Sequence, residues 1–487
     1  MNTLKRTLAL VATLAMASTA FAACGSKDSS STPATTAPTS GETTSGEATS
    51  GEATTGDDKP AEGGNSQEVG EVKLPTNGDK FNIVSWDSQD CPKLIKLWAE
   101  TTGHKESDAN FVDLQCKGHE ASAKFDQRFA SDENTDVFFV EADWALNYVN
   151  NDKATVALDQ LGFSEDNWKD AYAYTLEIAR ATDGANKDKL VGASWQAAAG
   201  GFAYRTDLAK EYLGVETPEA MQEKVGDWDK FKVAALEVAE KSNGKVNLAD
   251  SLGGMWQVYA ANRTNPWVTG KRINFDEQCK AFAELAKELW DKGGVSHAGQ
   301  WEEGWEQGGM NGSTMGYFVS TWGVGEGAFF GNASSTSRGK WNMIQGPANY
   351  FWGGTWIVVH PGCDNADLAQ SFIKAVTVDQ TAMKKYAVSK PEYVNNKTAM
   401  SEVIAENLKI DFATDNFGGQ NYFKVLDSNV KSFNLKGLVT PYDAKVKTNF
   451  LDAIQKQYIE GGKSYDEAVQ SALAKTQADI PELAGNA

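Results

Sequence analysis

Phe81-Asn82-Ile83-Val84-Ser85-Trp86, Asn110 to Leu114, and Asp136-Val137-Phe138-Phe139-Val140 decide the fold of this chain. Each reads as a short strand. The last is an unbroken apolar run, as expected of a strand buried on both faces. Two helical patterns separate them. Pro92 can open the first, and Leu94, Ile95, Leu97 and Trp98 recur along it at helical spacing. His119 to Ala130 is the second, with Ala121, Phe125 and Phe129 on one stripe. Strand, helix, strand, helix, strand predicts a parallel sheet with crossover helices.

Toward the C-terminus the alternation continues. Leu190 to Arg205 reads as strand and loop, and Trp228 to Lys241 as a helix. Asn274 to Lys292 is a second helix, with Asn274 or Asp276 as its cap and Phe282, Leu285, Ala286 and Leu289 as its stripe. Thr314 to Val319 and Thr355 to Val359 read as strands, and Asp367 to Val378 as a helix. Two helical patterns, 442–458 and 464–478, close the chain, with Ser464 and Asp466 placed to cap the last. Strands thus fall into two groups, and the chain returns to strand near 355. An α/β fold of two lobes joined by more than one crossing fits this order.

Toward the N-terminus the material changes. Lys5 and Arg6, an apolar stretch from Leu8 to Phe21, and the small residues Ala22 and Ala23 make residues 1–23 a signal peptide. Phe21-Ala22-Ala23-Cys24 resembles the lipobox of bacterial lipoproteins, in which the cysteine becomes the lipidated N-terminus. The match departs from the usual pattern at Phe21, where Leu is common. Residues 24–79 are rich in Thr, Ser, Gly, Glu, Ala and Pro, and read as a disordered tether from Cys24 to a body that begins near Lys80.

The whole chain has 487 residues and a net charge of −20. Such a charge repels nucleic acid and anionic headgroups, so the membrane is reached through the lipid alone. Four cysteines remain beyond Cys24, and they allow three pairings. Cys91 and Cys116 lie close in sequence, so of these pairings theirs is the candidate bridge in an exported chain. The four histidines are scattered and no tight Cys/His cluster exists, so neither metal nor cofactor is expected.

Several segments match one family in order. Asp136-Val137 resembles its P-D-V strand. Phe202-Ala203-Tyr204-Arg205-Thr206-Asp207-Leu208 resembles Y-N-x-D-L, with Arg in place of Asn. Asp227-Trp228-Asp229-Lys230-Phe231 resembles T-W-D-E-F. Met315 to Trp322 resembles A-M-x-x-x-G-x-W, one residue longer and lacking the Gly. Gly353-Gly354-Thr355-Trp356-Ile357, followed by Ala369 to Val376, resembles the GG strand and its A-x-x-F-I-K helix. The chain resembles the extracellular solute-binding lipoproteins of bacterial ABC transporters, in the carbohydrate-binding group related to maltose-binding protein. That resemblance implies a two-lobed periplasmic-binding-protein fold of type 2, with hinge closure over a cleft. It places 80–190 and 350–395 in the N-terminal lobe and 195–345 and 400–487 in the other. Crossings then fall near 190–200, 345–352 and 395–410. It also implies a monomer on the outer face of the cytoplasmic membrane, with membrane permease subunits as partners.

Fifteen tryptophans stand out in the composition. Aromatic rings cover the flat C–H faces of a sugar, and convergent carboxylates, amides and Arg pair with its hydroxyls. Trp98, Trp168, Trp228 and Trp290 sit on helical stripes or helix starts and are expected in the core. Ligands of open α/β sheets bind outside the carboxyl ends of strands. That places Trp86 and Asp87, after the first strand, and Glu141, Asp143 and Trp144, after the third, at the site. Trp195 and Trp352 sit at predicted crossings. Trp256 and Arg263 lie in a polar, aromatic segment, Trp322 follows a strand, and Tyr442 precedes a C-terminal helix. These eleven residues are the candidate contacts with a carbohydrate. No catalytic motif appears. A secreted glycoside hydrolase is the alternative, on the strength of Trp301-Glu302-Glu303-Gly304-Trp305-Glu306. A binding protein for a non-sugar solute is another.

Overall fold

The computed structural model describes residues 68–324, 337–407, 416–431 and 433–483. The expected signal peptide, Cys24 and most of the expected tether lie outside these residues.

Strands β1 (Phe81–Ser85), β2 (Ala109–Asp113), β3 (Val137–Glu141) and β4 (Gly192–Ser194) join β11 (Thr355–Val359) in a five-stranded sheet of order β2-β1-β3-β11-β4. β1 pairs in parallel with both β2 and β3, as the strand–helix alternation predicts. β11 returns antiparallel between β3 and β4, placing Thr355 opposite Glu141. Every residue of β1 and β11 is buried, which accounts for their continuous apolar runs. Asp136, just before β3, is fully buried. Its carboxylate accepts the N–H groups of Asn82 at 2.7 Å and of Asp364 and Asn365 at 3.1 Å each, tying three segments together.

A second, four-stranded sheet has the order β10-β5-β9-β6, from β5 (Gly200–Arg205), β6 (Asn247–Ala249), β9 (Thr314–Ser320) and β10 (Trp341–Ile344). The expected helices flank it. Trp228–Lys241 starts where Asp227 caps the N–H of Lys230 at 2.8 Å. Glu277–Asp291 is capped by Asp276, and Tyr465–Asp479 by a reciprocal Ser464–Glu467 capping box. Between the second-sheet β6 and β9, β7 (Val268–Thr269) and β8 (Arg272–Ile273) form a separate two-stranded hairpin.

Two large hydrophobic clusters accompany the sheets. One contains Ile83, Trp98, Phe138 and Ile357, and the other Phe202, Phe231, Met255 and Phe318. Three chain segments run side by side between them. Asn395 N–H donates to the carbonyl of Trp195 at 2.8 Å, Gly200 N–H to that of Tyr350 at 2.9 Å, and Trp352 N–H to that of Ala198 at 3.0 Å. Residues 397–431 mix the two sides. The Lys397–Ala405 helix packs on Gln380–Ser389 beside the first sheet, whereas Phe423–Val430 packs on β5.

Three expectations need correction. The expected tether would have to end before 68. Val69, Val72 and Leu74 pack against the first cluster, and the N–H groups of Gly70 and Gly78 donate to Gly162 and Asp364 at 2.8 Å each. Three apolar residues in six are enough to lay this stretch on the body. Cys91 and Cys116 are free thiols, as are Cys279 and Cys363. Cys91 opens its helix facing the core, while Cys116 sits half-buried in the loop after β2. Of the four tryptophans expected in the core, Trp98 and Trp168 are buried. Trp228 and Trp290 are only partly covered, lying flat on Tyr259 and His297 with ring centroids 4.5 and 3.7 Å apart.

Candidate ligand cleft

The parallel pairing of β1 with β3 brings Trp86-Asp87 and Glu141 to Trp144 out at one sheet edge, where the Trp86 and Trp144 rings lie 5.4 Å apart. Their aim differs from the expectation that both face the cleft. Trp144 is only 8% exposed and packs among Trp86, Phe125 and Tyr148. Asp87 turns back toward its own chain. Its Oδ1 accepts the N–H groups of Gln89 at 3.0 Å and Asp90 at 2.8 Å, at the entry to the Cys91–Thr102 helix. Burial, with the neighbouring Asp90 carboxylate, raises its pKa to about 6.

The opening lies further along the edge. Ala142, Asp143 and Gly353 face Gln257, Arg263 and Lys447 across it. The first three belong to the first sheet's edge. Gln257 and Lys447 belong to helices Leu252–Ala261 and Asp443–Ala453, packed on the second cluster, and Arg263 follows the first of these. Lys447 Nζ is 2.7 Å from both carboxylate oxygens of Asp143 and 3.2 Å from Gln257 Oε1. Arg263 is held on one side of the opening. It donates to Asp443 Oδ2 at 2.5 Å and to the carbonyls of Ala260 and Leu438, and lies 4.2 Å above the Trp267 ring. The space left among these groups is about 50 Å³. One water needs about 10–15 Å³ by such a measure, so the space holds a few waters and no disaccharide.

Glu141 stands beside this space. Its Oε2 accepts the Asp143 N–H at 3.0 Å. A Cβ at Gly353 would stand 3.4 Å from Glu141 Oε1 and 3.3 Å from Trp322 Nε1, and the residue holds φ +68°. Glycine therefore serves both the backbone conformation and the close approach. Burial first, then the Asp143 charge, raise the Glu141 pKa to about 8, with Lys447 opposing. Burial thus favours the protonated carboxyl, the form that donates to a ligand oxygen as well as accepting.

Trp322 and Trp352 meet at this point, with centroids 5.1 Å apart and the Trp322 indole N–H donating to the Trp352 carbonyl at 2.7 Å. Trp301 completes a triangle at 5.7 and 5.6 Å from them. Trp301 is 55% exposed and has a left-handed backbone, φ +70°. For a bulky residue that conformation costs of order 1–3 kcal/mol, and such outliers cluster at ligand sites.

Of the other expected contacts, Trp195 is 0% exposed and packs on Phe139. Trp256 is buried among Trp267, Phe282 and Phe450, and its indole N–H donates to the Lys447 carbonyl at 3.2 Å. Tyr442 precedes the Asp443 helix and bonds toward Glu482 near the C-terminus. These three lie in the packing behind the cleft. Sequence reasoning missed Trp301, Gln257, Trp267, Asp443 and Lys447. Two tryptophans four residues apart, Trp301 and Trp305, were a signal for the first. A lysine on a surface helix carries none. Glu302 and Glu303 are exposed, as an acidic helix start in solvent would be.

Glu392 is a buried junction. It accepts from Thr321 Oγ1, just past β9, and from Gln196 Nε2 at 3.3 Å, while Gln196 Oε1 accepts the Thr355 N–H at 3.1 Å. Burial raises its pKa to about 8. Among the described residues no His/Cys/Asp/Glu group could hold a metal ion, and no helix is long and apolar enough to cross a membrane.

The family described as bacterial extracellular solute-binding protein matches the chain over residues 106–409. No curated protein matches it by sequence. Among solved structures, an extracellular solute-binding protein of family 1 superposes with a TM-score of 0.69 at 15% identity, covering 82% of this chain and 99% of that one. The ABC transporter associated binding protein from B. animalis subsp. lactis, in complex with β-1,6-galactobiose, gives 0.63 at 18% identity, covering 84% and 98%. The galacto-N-biose-/lacto-N-biose I-binding protein of Bifidobacterium longum gives 0.64 at 16% identity, with the same coverage. The fold is that of these two-lobed proteins.

Proposed function

This chain belongs to the bacterial extracellular solute-binding proteins, and from that premise we propose that it captures an oligosaccharide by lobe closure and delivers it to the permease of an ABC transporter. The family is one of binding proteins acting outside the cytoplasm, not of enzymes. The observation that carries the carbohydrate reading is the Trp301–Trp322–Trp352 triangle beside Glu141. It offers an aromatic face next to a carboxyl that can donate or accept, which is what a sugar's C–H face and hydroxyl rim require. Structural likeness to proteins solved with galactobiose and lacto-N-biose supports the same choice. In this reading the lobes are 80–190 with 350–395, and 195–345 with the C-terminal helices. The segments 195–200, 350–352 and 393–395 form the hinge. The body is a monomer, tethered through a lipid on Cys24.

A thermal-shift panel of neutral oligosaccharides, β-1,6-galactobiose and lacto-N-biose included, tests the ligand class. Ligand at 100 times its Kd adds about 2.7 kcal/mol. Stabilisation by a peptide or amino acid, with no response to any saccharide, would replace the sugar by another solute. For the anchor, Cys24→Ser should move the protein from the membrane fraction to the medium. Unchanged fractionation would remove the lipid from the account.

A further inference from the structure

We propose that Asp250 is a positioning residue for the ligand face: buried behind it, Asp250 fixes the Trp305 indole as the wall against which the exposed Trp301 ring is set. The proposal rests on the reading above, in which Trp301 contacts the ligand. Asp250 directly follows β6 and is 0% exposed. Trp305 lies on the Glu303–Asn311 helix and is 1% exposed, so it stands behind the face rather than on it. Its ring centroid is 5.0 Å from that of Trp301, with the planes at 56°.

The two carboxylate oxygens of Asp250 have separate tasks. Oδ1 accepts the Phe318 N–H of β9 at 3.1 Å, beyond the point where β6 stops pairing with that strand. Oδ2 accepts the Trp305 indole N–H and the Ser251 hydroxyl, at 2.7 Å each. Tyr317 holds the other end of Trp305, donating its hydroxyl to the Trp305 carbonyl at 2.6 Å. These three donors to Asp250 are neutral. Apolar side chains would fill such a space at lower cost than a carboxylate. What the carboxylate adds is direction, because a satisfied buried network favours one arrangement.

Trp301 needs such a wall. Its backbone is left-handed, at φ +70°, and its ring is 55% exposed. The loop around it offers little else. Glu302 is exposed, and among the described residues Gln300 Nε2 has no hydrogen-bond partner. Of the three rings against Trp301, those of Trp305, Trp322 and Trp352, Trp305 is the most deeply buried. A ring held in one orientation before binding does not have to be ordered by the ligand, which raises affinity. Asp250 thereby acts on affinity without touching the ligand.

The test reads Trp301 itself. The protein is made with fluorinated tryptophan, and the Trp301 fluorine resonance is assigned by its loss in Trp301→Phe. Asp250→Asn keeps an oxygen for the Phe318 N–H and turns an amide N–H toward the Trp305 indole. Trp305→Phe keeps a ring and removes the indole N–H. Without ligand, the unmodified protein should show one Trp301 line, and each variant a split or broadened one. The double variant should be no more heterogeneous than either single one, since both break the same contact. Lines from Trp98 and Trp168, in the first cluster, should stay sharp. Titration with β-1,6-galactobiose and lacto-N-biose should then show Kd raised roughly twofold to tenfold by Asp250→Asn. A single sharp Trp301 line in Asp250→Asn overturns the proposal. So do several Trp301 lines in the unmodified protein, additive effects of the two substitutions, or an unchanged Kd beside a split line. Trp305→Phe decides if Asp250→Asn fails to fold. The fluorine measurement uses no saccharide, so a line that splits in a protein binding neither disaccharide would overturn the proposed ligand alone.

Discussion

Two tryptophan groups stand along one edge of the cleft, and they differ in what covers them. Trp86 and Trp144 end neighbouring strands, yet Trp144 is wrapped by Phe125 and Tyr148. Trp301, Trp322 and Trp352 come from a strained loop, the turn after β9 and a crossing segment, and Trp301 stays open to solvent. A position at the carboxyl end of a strand places a residue at the edge. Whether its ring faces the cleft or the core depends on which side of the edge it turns to, and on how much of the interior is already filled. In this chain the edge loop folds its ring inward, and the exposed aromatic face is assembled from distant segments.

The comparison can be broken most sharply at Trp144. Trp144→Ala should leave a cavity among three rings and cost about 3–5 kcal/mol of stability, with affinity kept in the molecules that remain folded. Denaturant unfolding and calorimetric titration separate the two effects. A variant of normal stability that binds poorly would return Trp144 to the ligand side. Trp301→Ala should do the reverse. An exposed ring gives the fold little, so melting should hardly change. Loss of a stacking face should cost about 1–3 kcal/mol of binding, or roughly tenfold to a hundredfold in Kd.

Glu141 tests the electrostatic side of the cleft, through the pH dependence of stability. Its folded pKa, about 8, lies above its ordinary 4.5. The protonated form is thus favoured by folding, so its contribution is complete below pH 4.5 and is lost as pH rises through 8. Glu141→Gln removes that dependence, by at most about 1.4 kcal/mol per pH unit for one proton. Melting the two proteins across this window should show the wild type losing ground to the variant as pH rises. Parallel curves would mean that the carboxyl is ionised throughout.

The first sheet was legible because burial on both faces leaves an unbroken apolar run, as in Val137 to Val140, and because helix stripes such as Phe282 to Leu289 repeat at the right spacing. Caps were legible too: Asp276 and Ser464 do what their positions predict. The cleft was half legible. Strand ends located Glu141 and Asp143, and the crossing position located Trp352. Lys447 was not legible, because its meaning comes from an acid 304 residues away. Trp195 and Trp256 misled because a buried ring and a cleft ring are the same letter in the sequence. The ordered start of the body at 68–79 was masked by the polar composition around Val69, Val72 and Leu74.

If an oligosaccharide binds against the Trp301–Trp322–Trp352 face, Trp301 is the ring whose loss it should feel most. Calorimetric titration of the wild type and of Trp301→Ala, with the saccharide that stabilises the wild type best, tests it most directly. One ligand per chain should bind and be recovered intact, with a tenfold to hundredfold weaker Kd in the variant at unchanged melting temperature. Equal affinity in the two proteins would contradict it.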